Sequence, residues 1–294
     1  MFEIIGHEKT KKQLEKTIQS GSIGHAYLFV GKSGIGKNLL AKEFAKSIMC
    51  EDSKSLNYCD NCDACFTFES GSDFKVICPT KNVIKVDEIR EFCSELFLLP
   101  TKSKRKVFII DDAECMNEQA QNALLKVLEE PPLYATIILV TSNKEKLLNT
   151  IKSRVIEIQF DFLSDEEIRK ILNMQGIECS EDAIKFANGS AKKAIDFVND
   201  DVFDISKDLA ELLIRRDFLA VNRKCEEIKA DKKLKTNISA ILEKVMQIFF
   251  INLKNDISFD YKLIEKTEET IQKIKRNANV DLALDSLMVE VCKI

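Results

Sequence analysis

Two short stretches of this sequence combine residue types and spacings suited to chemistry. The first is Gly31-Lys32-Ser33-Gly34-Ile35-Gly36-Lys37-Asn38. Glycines at this spacing let backbone N–H groups wrap a chain of phosphates at a helix N-terminus, with Lys37 reaching the terminal phosphates. A loop that hydrolyses nucleotide places Ser or Thr after the lysine as a Mg²⁺ ligand. Here that residue is Asn38, whose amide oxygen can ligate a hard cation but sits on a longer side chain. Two expectations stay open: the loop binds ATP with Mg²⁺, or it is a degenerate relic that turns over no nucleotide. The second stretch is Cys50-x8-Cys59-x2-Cys62-x2-Cys65. Four thiolates so closely spaced suit a tetrahedral Zn²⁺ with no position left for water, hence a structural metal. A redox pair or free thiols are the alternatives.

A third pattern, Val107-Phe108-Ile109-Ile110-Asp111-Asp112, is an apolar run closed by two carboxylates. Asp111 would hold Mg²⁺ through water. The next position in an active ATPase is a Glu that polarises the attacking water, and Asp112 is one methylene shorter. An acidic pair after a strand also serves as a helix N-cap. Asn38 and Asp112 both depart where hydrolysis is most demanding.

These groups need elements to hold them. Residues 26–30, 107–110, 136–140 and 155–160 read as buried strands; helical patterns cover Lys37 to about Met49 and Asn117 to Glu130, the latter stopped by Pro131-Pro132. Near-continuous apolar strands alternating with helices predict an α/β fold whose parallel sheet is covered on both faces, with ligands at the strands' carboxyl ends. Ser164-Asp165-Glu166-Glu167 fits a capping box that opens a helix. Shorter helices are expected from Asp182 to Ala187 and from about Ala191. Ile238, Ile241, Leu242, Val245 and Phe249 fall on one helical face. Every Gly and Pro lies at or before Gly189, so the rest is expected to be helices joined by short polar loops. The expected domains are 1–161, carrying the cysteine module at 50–65, a small helical lid at 162–204, and an all-helical C-terminal domain at 205–294.

Composition bounds the remaining choices. The chain has 294 residues and a net charge of −4, against binding nucleic acid mainly through a broad basic field. Two histidines, His7 and His25, nearly exclude chemistry that needs several imidazoles. Residues 1–7 lack the pattern of a signal peptide, and no apolar run is long enough to span a bilayer. A soluble, cytoplasmic protein is expected. Cys78, Cys93, Cys115, Cys179, Cys225 and Cys292 are scattered and expected as small core hydrophobes. Lys102, Lys104, Arg105 and Lys106 are expected as a solvated loop and not a DNA contact.

Together, the phosphate loop, the four-cysteine insertion and Asn122-Ala123-Leu124-Leu125-Lys126-Val127-Leu128-Glu129-Glu130-Pro131-Pro132 resemble the clamp-loader subunits of bacterial DNA polymerase III, of the AAA+ class. His25-Ala26-Tyr27-Leu28-Phe29 and Ser153-Arg154 extend the likeness, which covers residues 1 to about 200. It implies an AAA+ P-loop domain in a hetero-oligomer that places a sliding clamp on primed DNA. Asn38 and Asp112 make the chain most similar to the delta-prime (stator) type, poor in ATPase; the alternative is a gamma/tau-type motor with unusual residues. The expected partners are the gamma/tau and delta subunits, then the clamp and DNA through the complex. The resemblance gives Arg154 the part of an arginine finger acting on a neighbouring subunit's nucleotide, although Val155 replaces the family's cysteine. It places Thr141 where phosphate is sensed, and Lys192 where related ATPases carry a second sensing arginine.

Overall fold

The computed structural model of the chain describes residues 4–198, 202–255, 259–276 and 278–292. They form two compact units: Met1–Gln175 with Gly189–Lys192, and Gly176–Asn188 with Lys193–Ile294. The stretch expected as a lid is thus shared between them, and residues 199–201 within it lie outside the described residues.

The first unit runs α1 (Glu8–Ser20), β1 (Ala26–Val30), α2 (Lys37–Met49), α3 (Asp63–Phe66), β2 (Phe74–Ile77), α4 (Val86–Leu96), β3 (Lys106–Ile110), α5 (Glu118–Glu129), β4 (Ala135–Thr141), α6 (Asn149–Lys152), β5 (Ile156–Gln159) and α7 (Asp165–Met174). Its sheet is parallel throughout, in the order β2-β3-β4-β1-β5. The alternation of β1 explains why its whole run is apolar. Ala26, Leu28 and Val30 join a core with Ile89 and Phe92 of α4 and Leu124 and Val127 of α5. Tyr27 and Phe29 turn the other way onto Phe44 of α2, with ring centroids 5.2 and 6.5 Å apart. Strand β2 was not expected. Its four residues include Lys75 at the sheet edge, too brief and too polar to read as a buried run.

Two further expectations are corrected. Lys106 is not solvated: it is 2% exposed, and its ammonium donates to the carbonyls of Glu95 (2.9 Å) and Leu98 (3.1 Å). A cation there satisfies the open carbonyls at the C-terminus of α4 and complements its dipole. Arg105 is half-buried, while Lys102 and Lys104 are exposed. Of the scattered cysteines, Cys225 is buried in the second unit, and Cys93 and Cys115 pack partly buried against the core of the first, as expected; Cys78 is exposed and Cys179 only partly covered. The Cys292 side chain lies outside the described residues.

The second unit is helical: α8 (Glu181–Ala187), most of α9 (Ala191–Val198), α10 (Phe203–Arg215), α11 (Phe218–Ala230), α12 (Lys232–Thr236), α13 (Ile238–Asn255), α14 (Lys262–Lys275) and α15 (Val280–Cys292). Ile238, Ile241, Leu242, Val245 and Phe249 are all buried in its core. Helices end there without glycine because other residues satisfy the termini. Arg216 takes the left-handed conformation (φ 55°), and the Asp217 and Asp231 carboxylates accept from the first-turn N–H groups of α11 and α12.

Candidate functional site

Three strand ends meet side by side at the carboxyl edge of the sheet. Val30 of β1 lies beside Thr141 of β4, and the Gly31 N–H donates to the Thr141 carbonyl at 3.3 Å. The phosphate loop leaves β1 here and opens α2. Gly34 (φ 78°) and Gly36 (φ 95°) adopt the left-handed conformation, which turns successive N–H groups to one side. Lys37 is buried, its ammonium donating to the Lys32 carbonyl at 2.7 Å. Burial lowers its pKa, and Glu114, Asp111 and Asp112 oppose that shift.

Asn38, the residue after the loop lysine, is tied to the acidic pair that ends β3. Its amide nitrogen donates to Asp111 Oδ2 at 2.5 Å, the orientation a carboxylate requires because it can only accept. Asp111 Oδ1 also accepts from the Asp112 N–H (3.1 Å). Asp112 takes a left-handed backbone (φ 45°) and makes no side-chain cap bond, so the N-cap alternative does not hold. Burial raises its pKa, with Asp111 and Glu114 adding to the shift and Lys37 and Lys192 opposing it.

Glu114 was missed by the sequence reading. It accepts from Thr141 Oγ1 (2.7 Å), the Ser142 N–H (3.0 Å) and the Ser142 hydroxyl. Burial would raise its pKa, but these bonds outweigh it and hold the carboxylate ionised. Thr141 is fully buried and its hydroxyl is committed to Glu114. The signal lay in Asp111-Asp112-Ala113-Glu114, a third carboxylate within one turn of the acidic pair.

The Gly189–Lys192 segment packs on the loop. Ser190 Oγ donates to the Ser33 carbonyl (2.9 Å) and the Lys192 N–H to the Gly34 carbonyl (3.1 Å). Lys192 thus reaches the same site through its backbone and through its charge on Asp112.

Arg154 follows α6, away from these groups in sequence and within reach of other motifs. Its guanidinium pairs with Glu129 Oε1 at 2.9 Å and donates to the Thr150 carbonyl (2.9 Å) and Ser153 Oγ (3.2 Å). Its own carbonyl accepts from His25 Nε2 at 3.1 Å.

The four clustered cysteines converge. Cys50 follows α2, Cys62 caps α3 and Cys65 lies within it. All four sulfurs lie within 4.8 Å of one another, and Cys59 and Cys65 are 4.0 Å apart. A zinc tetrahedron with bonds of about 2.3 Å needs sulfurs about 3.8 Å apart, so the set fits a metal after small closure. The Cys59 N–H donates to Cys50 Sγ (3.3 Å) and the Asn61 N–H to Cys59 Sγ (3.4 Å). Such bonds favour thiolate; the one from Asn61 draws Cys59 down to about 7, whereas burial pushes Cys65 up to about 12. Lys46 of α2 anchors this module, pairing with Asp60 (2.7 Å) and lying 3.8 Å over the Tyr58 ring.

Comparisons with known proteins bear on the family and the fold. Residues 6–164 match the family model described as DNA polymerase III, delta subunit. The chain is similar to DNA polymerase III subunit gamma of Buchnera aphidicola subsp. Schizaphis graminum, 36% identical over 206 residues that cover 67% of this chain and 56% of that protein. It is also similar to DNA polymerase III subunit tau of Bacillus subtilis, 28% identical over 309 residues, 98% of this chain and 54% of that one. The chain therefore spans about half the length of these curated relatives. Its fold is like that of a DNA polymerase III, gamma subunit-related protein from Thermotoga maritima (TM-score 0.52, 20% identity, 97% of this chain and 99% of that one). With strand ends, phosphate loop and family match in agreement, the chain belongs to the AAA+ clamp-loader subunits of bacterial DNA polymerase III.

Proposed function

We propose that the chain is a stator of the delta-prime type: a cytoplasmic clamp-loader subunit that turns over little or no ATP itself. In this reading Arg154 acts on the nucleotide of a neighbouring ATPase subunit. The observation that carries the proposal is the Asn38–Asp111 hydrogen bond. It ties together the two side chains that would share Mg²⁺, with an N–H donor where a hydrolysing loop presents a hydroxyl oxygen to the metal. The short Asp112 carboxylate and the commitment of Thr141 to Glu114 support the same reading. Gly31, Gly34, Gly36 and Lys37 would still cradle phosphates, so ATP could be held without being hydrolysed. Zn²⁺ on Cys50, Cys59, Cys62 and Cys65 would be structural. The partners are the gamma/tau and delta subunits, and through them the sliding clamp and primed DNA.

A gamma/tau-type motor is the second reading, favoured by the likeness to relatives named gamma and tau. Steady-state ATPase assays separate the two. The isolated chain should show no turnover above background, and Arg154→Ala should leave assembly with the other clamp-loader subunits intact while slowing hydrolysis by the complex. Turnover by the isolated chain that Lys37→Ala abolishes would refute the stator reading.

A further inference from the structure

We propose that Glu129 is a positioning residue for Arg154, with His25 anchoring the same residue through its backbone. This rests on the reading of Arg154 as a finger acting in trans. The guanidinium is held on two sides: Glu129 Oε1 takes NH2 at 2.9 Å, while the Thr150 carbonyl and Ser153 Oγ take NH1 at 2.9 and 3.2 Å. The base of the residue is held as well, by His25 Nε2 on its carbonyl at 3.1 Å.

These partners come from separate parts of the chain. Glu129 ends α5 just before Pro131-Pro132, Thr150 lies in α6, and His25 precedes β1. An exposed ion pair adds little to stability. The Arg154 side chain is 35% exposed and that of Glu129 52%, so this pair is a weak stabiliser. Its effect is on direction. A long side chain with free torsions would spend most of its time away from any single target, and a donor fixed in advance stabilises developing charge better than one that must reorganise. Arginine can be held and still act, because its planar fork carries five N–H donors. Glu129, Thr150 and Ser153 take three of those donors, two on NH1 and one on NH2, which leaves two to meet a phosphate oxygen.

The test uses the reconstituted clamp loader, with assembly checked by co-elution and ATP hydrolysis measured at saturating nucleotide. Glu129→Ala should assemble normally and lower kcat about tenfold, less than Arg154→Ala does. Glu129→Gln, which keeps an acceptor oxygen, should recover most of that loss and provides the measurement if the Ala variant fails to assemble. In the Arg154→Ala background, Glu129→Ala should cause no further loss, because the group it positions is gone. An equal loss in that background, or equal losses from Ala and Gln, overturns the positioning role. Full activity of Glu129→Ala alongside a slow Arg154→Ala overturns it too, while leaving the finger intact. An unaffected Arg154→Ala complex refutes the finger itself and the positioning role with it.

Discussion

Replacing Asp73 tests how the loop before β3 is built. Asp73 is 4% exposed, immediately before β2. Oδ2 accepts from the backbone N–H groups of Lys102 (2.7 Å) and Ser103 (3.0 Å), and the Thr101 N–H is shared between Oδ1 (2.9 Å) and Oδ2 (3.0 Å). Hydrogen bonds to a charged group contribute about 1.5–3 kcal/mol each, which for three donors sums to several kcal/mol. Two terms reduce that sum. Water can reach part of the exposed 101–102 segment in the variant, and the wild type already bears the cost of desolvating a carboxylate. Asp73→Ala should therefore destabilise the first unit by about 3 kcal/mol, a midpoint lower by about 6–12 °C. Asp73→Asn keeps one acceptor and should lose about half as much. The pH dependence has a definite sign. Burial would raise the Asp73 pKa, but the backbone donors of Lys102, Thr101 and Ser103 outweigh it and hold the folded value below 3.8. The stabilisation is complete above the unfolded value and is lost as pH falls through the folded one. The gap between wild type and Asp73→Asn should thus be widest near neutral pH and narrow in acid. Thermal and urea unfolding across that range measure it. A midpoint shift under about 2 °C for Asp73→Ala, or a gap that widens in acid, would refute the reasoning.

Other expectations concern the metal and the phosphate loop. Protein purified without chelator should carry about one zinc per chain by elemental analysis, and Cys65→Ser should lose most of it; a metal-free wild type removes the site. A Cβ at Gly34 would lie 2.5 Å from Ser190 Oγ and 2.6 Å from Lys192 Cβ, whereas one at Gly36 meets nothing within 4 Å. Both have positive φ, so both alanine variants carry backbone strain of about 1 kcal/mol, and only Gly34→Ala adds a clash of about 1–3 kcal/mol. Urea unfolding should rank Gly34→Ala as clearly the less stable, and equal losses would contradict the packing of the 189–192 segment on the loop.

The parts of this protein that could be read from residue order are those whose causes are local. Glycine spacing dictates a phosphate-type turn within eight residues, Ser164 and Glu167 form their reciprocal capping box within one helical turn, and the four cysteines meet because short spacing brings them together. The buried face of α13 follows from its 3.6-residue period. The short edge strand β2 escaped the same reasoning because four residues, one of them a lysine, carry too little period to register.

Other features depended on strand order. That order brings Glu114 to Thr141 across 27 residues and His25 to Arg154 across 129, and it turns three separate stretches, around His25, Glu129 and Ser153, into one mount for an arginine. Charge in the sequence likewise did not reveal which basic residue would be buried: Lys106 is enclosed because the end of α4 presents open carbonyls beside β3. Backbone stereochemistry and periodicity act over a few residues. Burial, hydrogen-bond partners and the orientation of a long side chain are set by whatever the sheet places next to it.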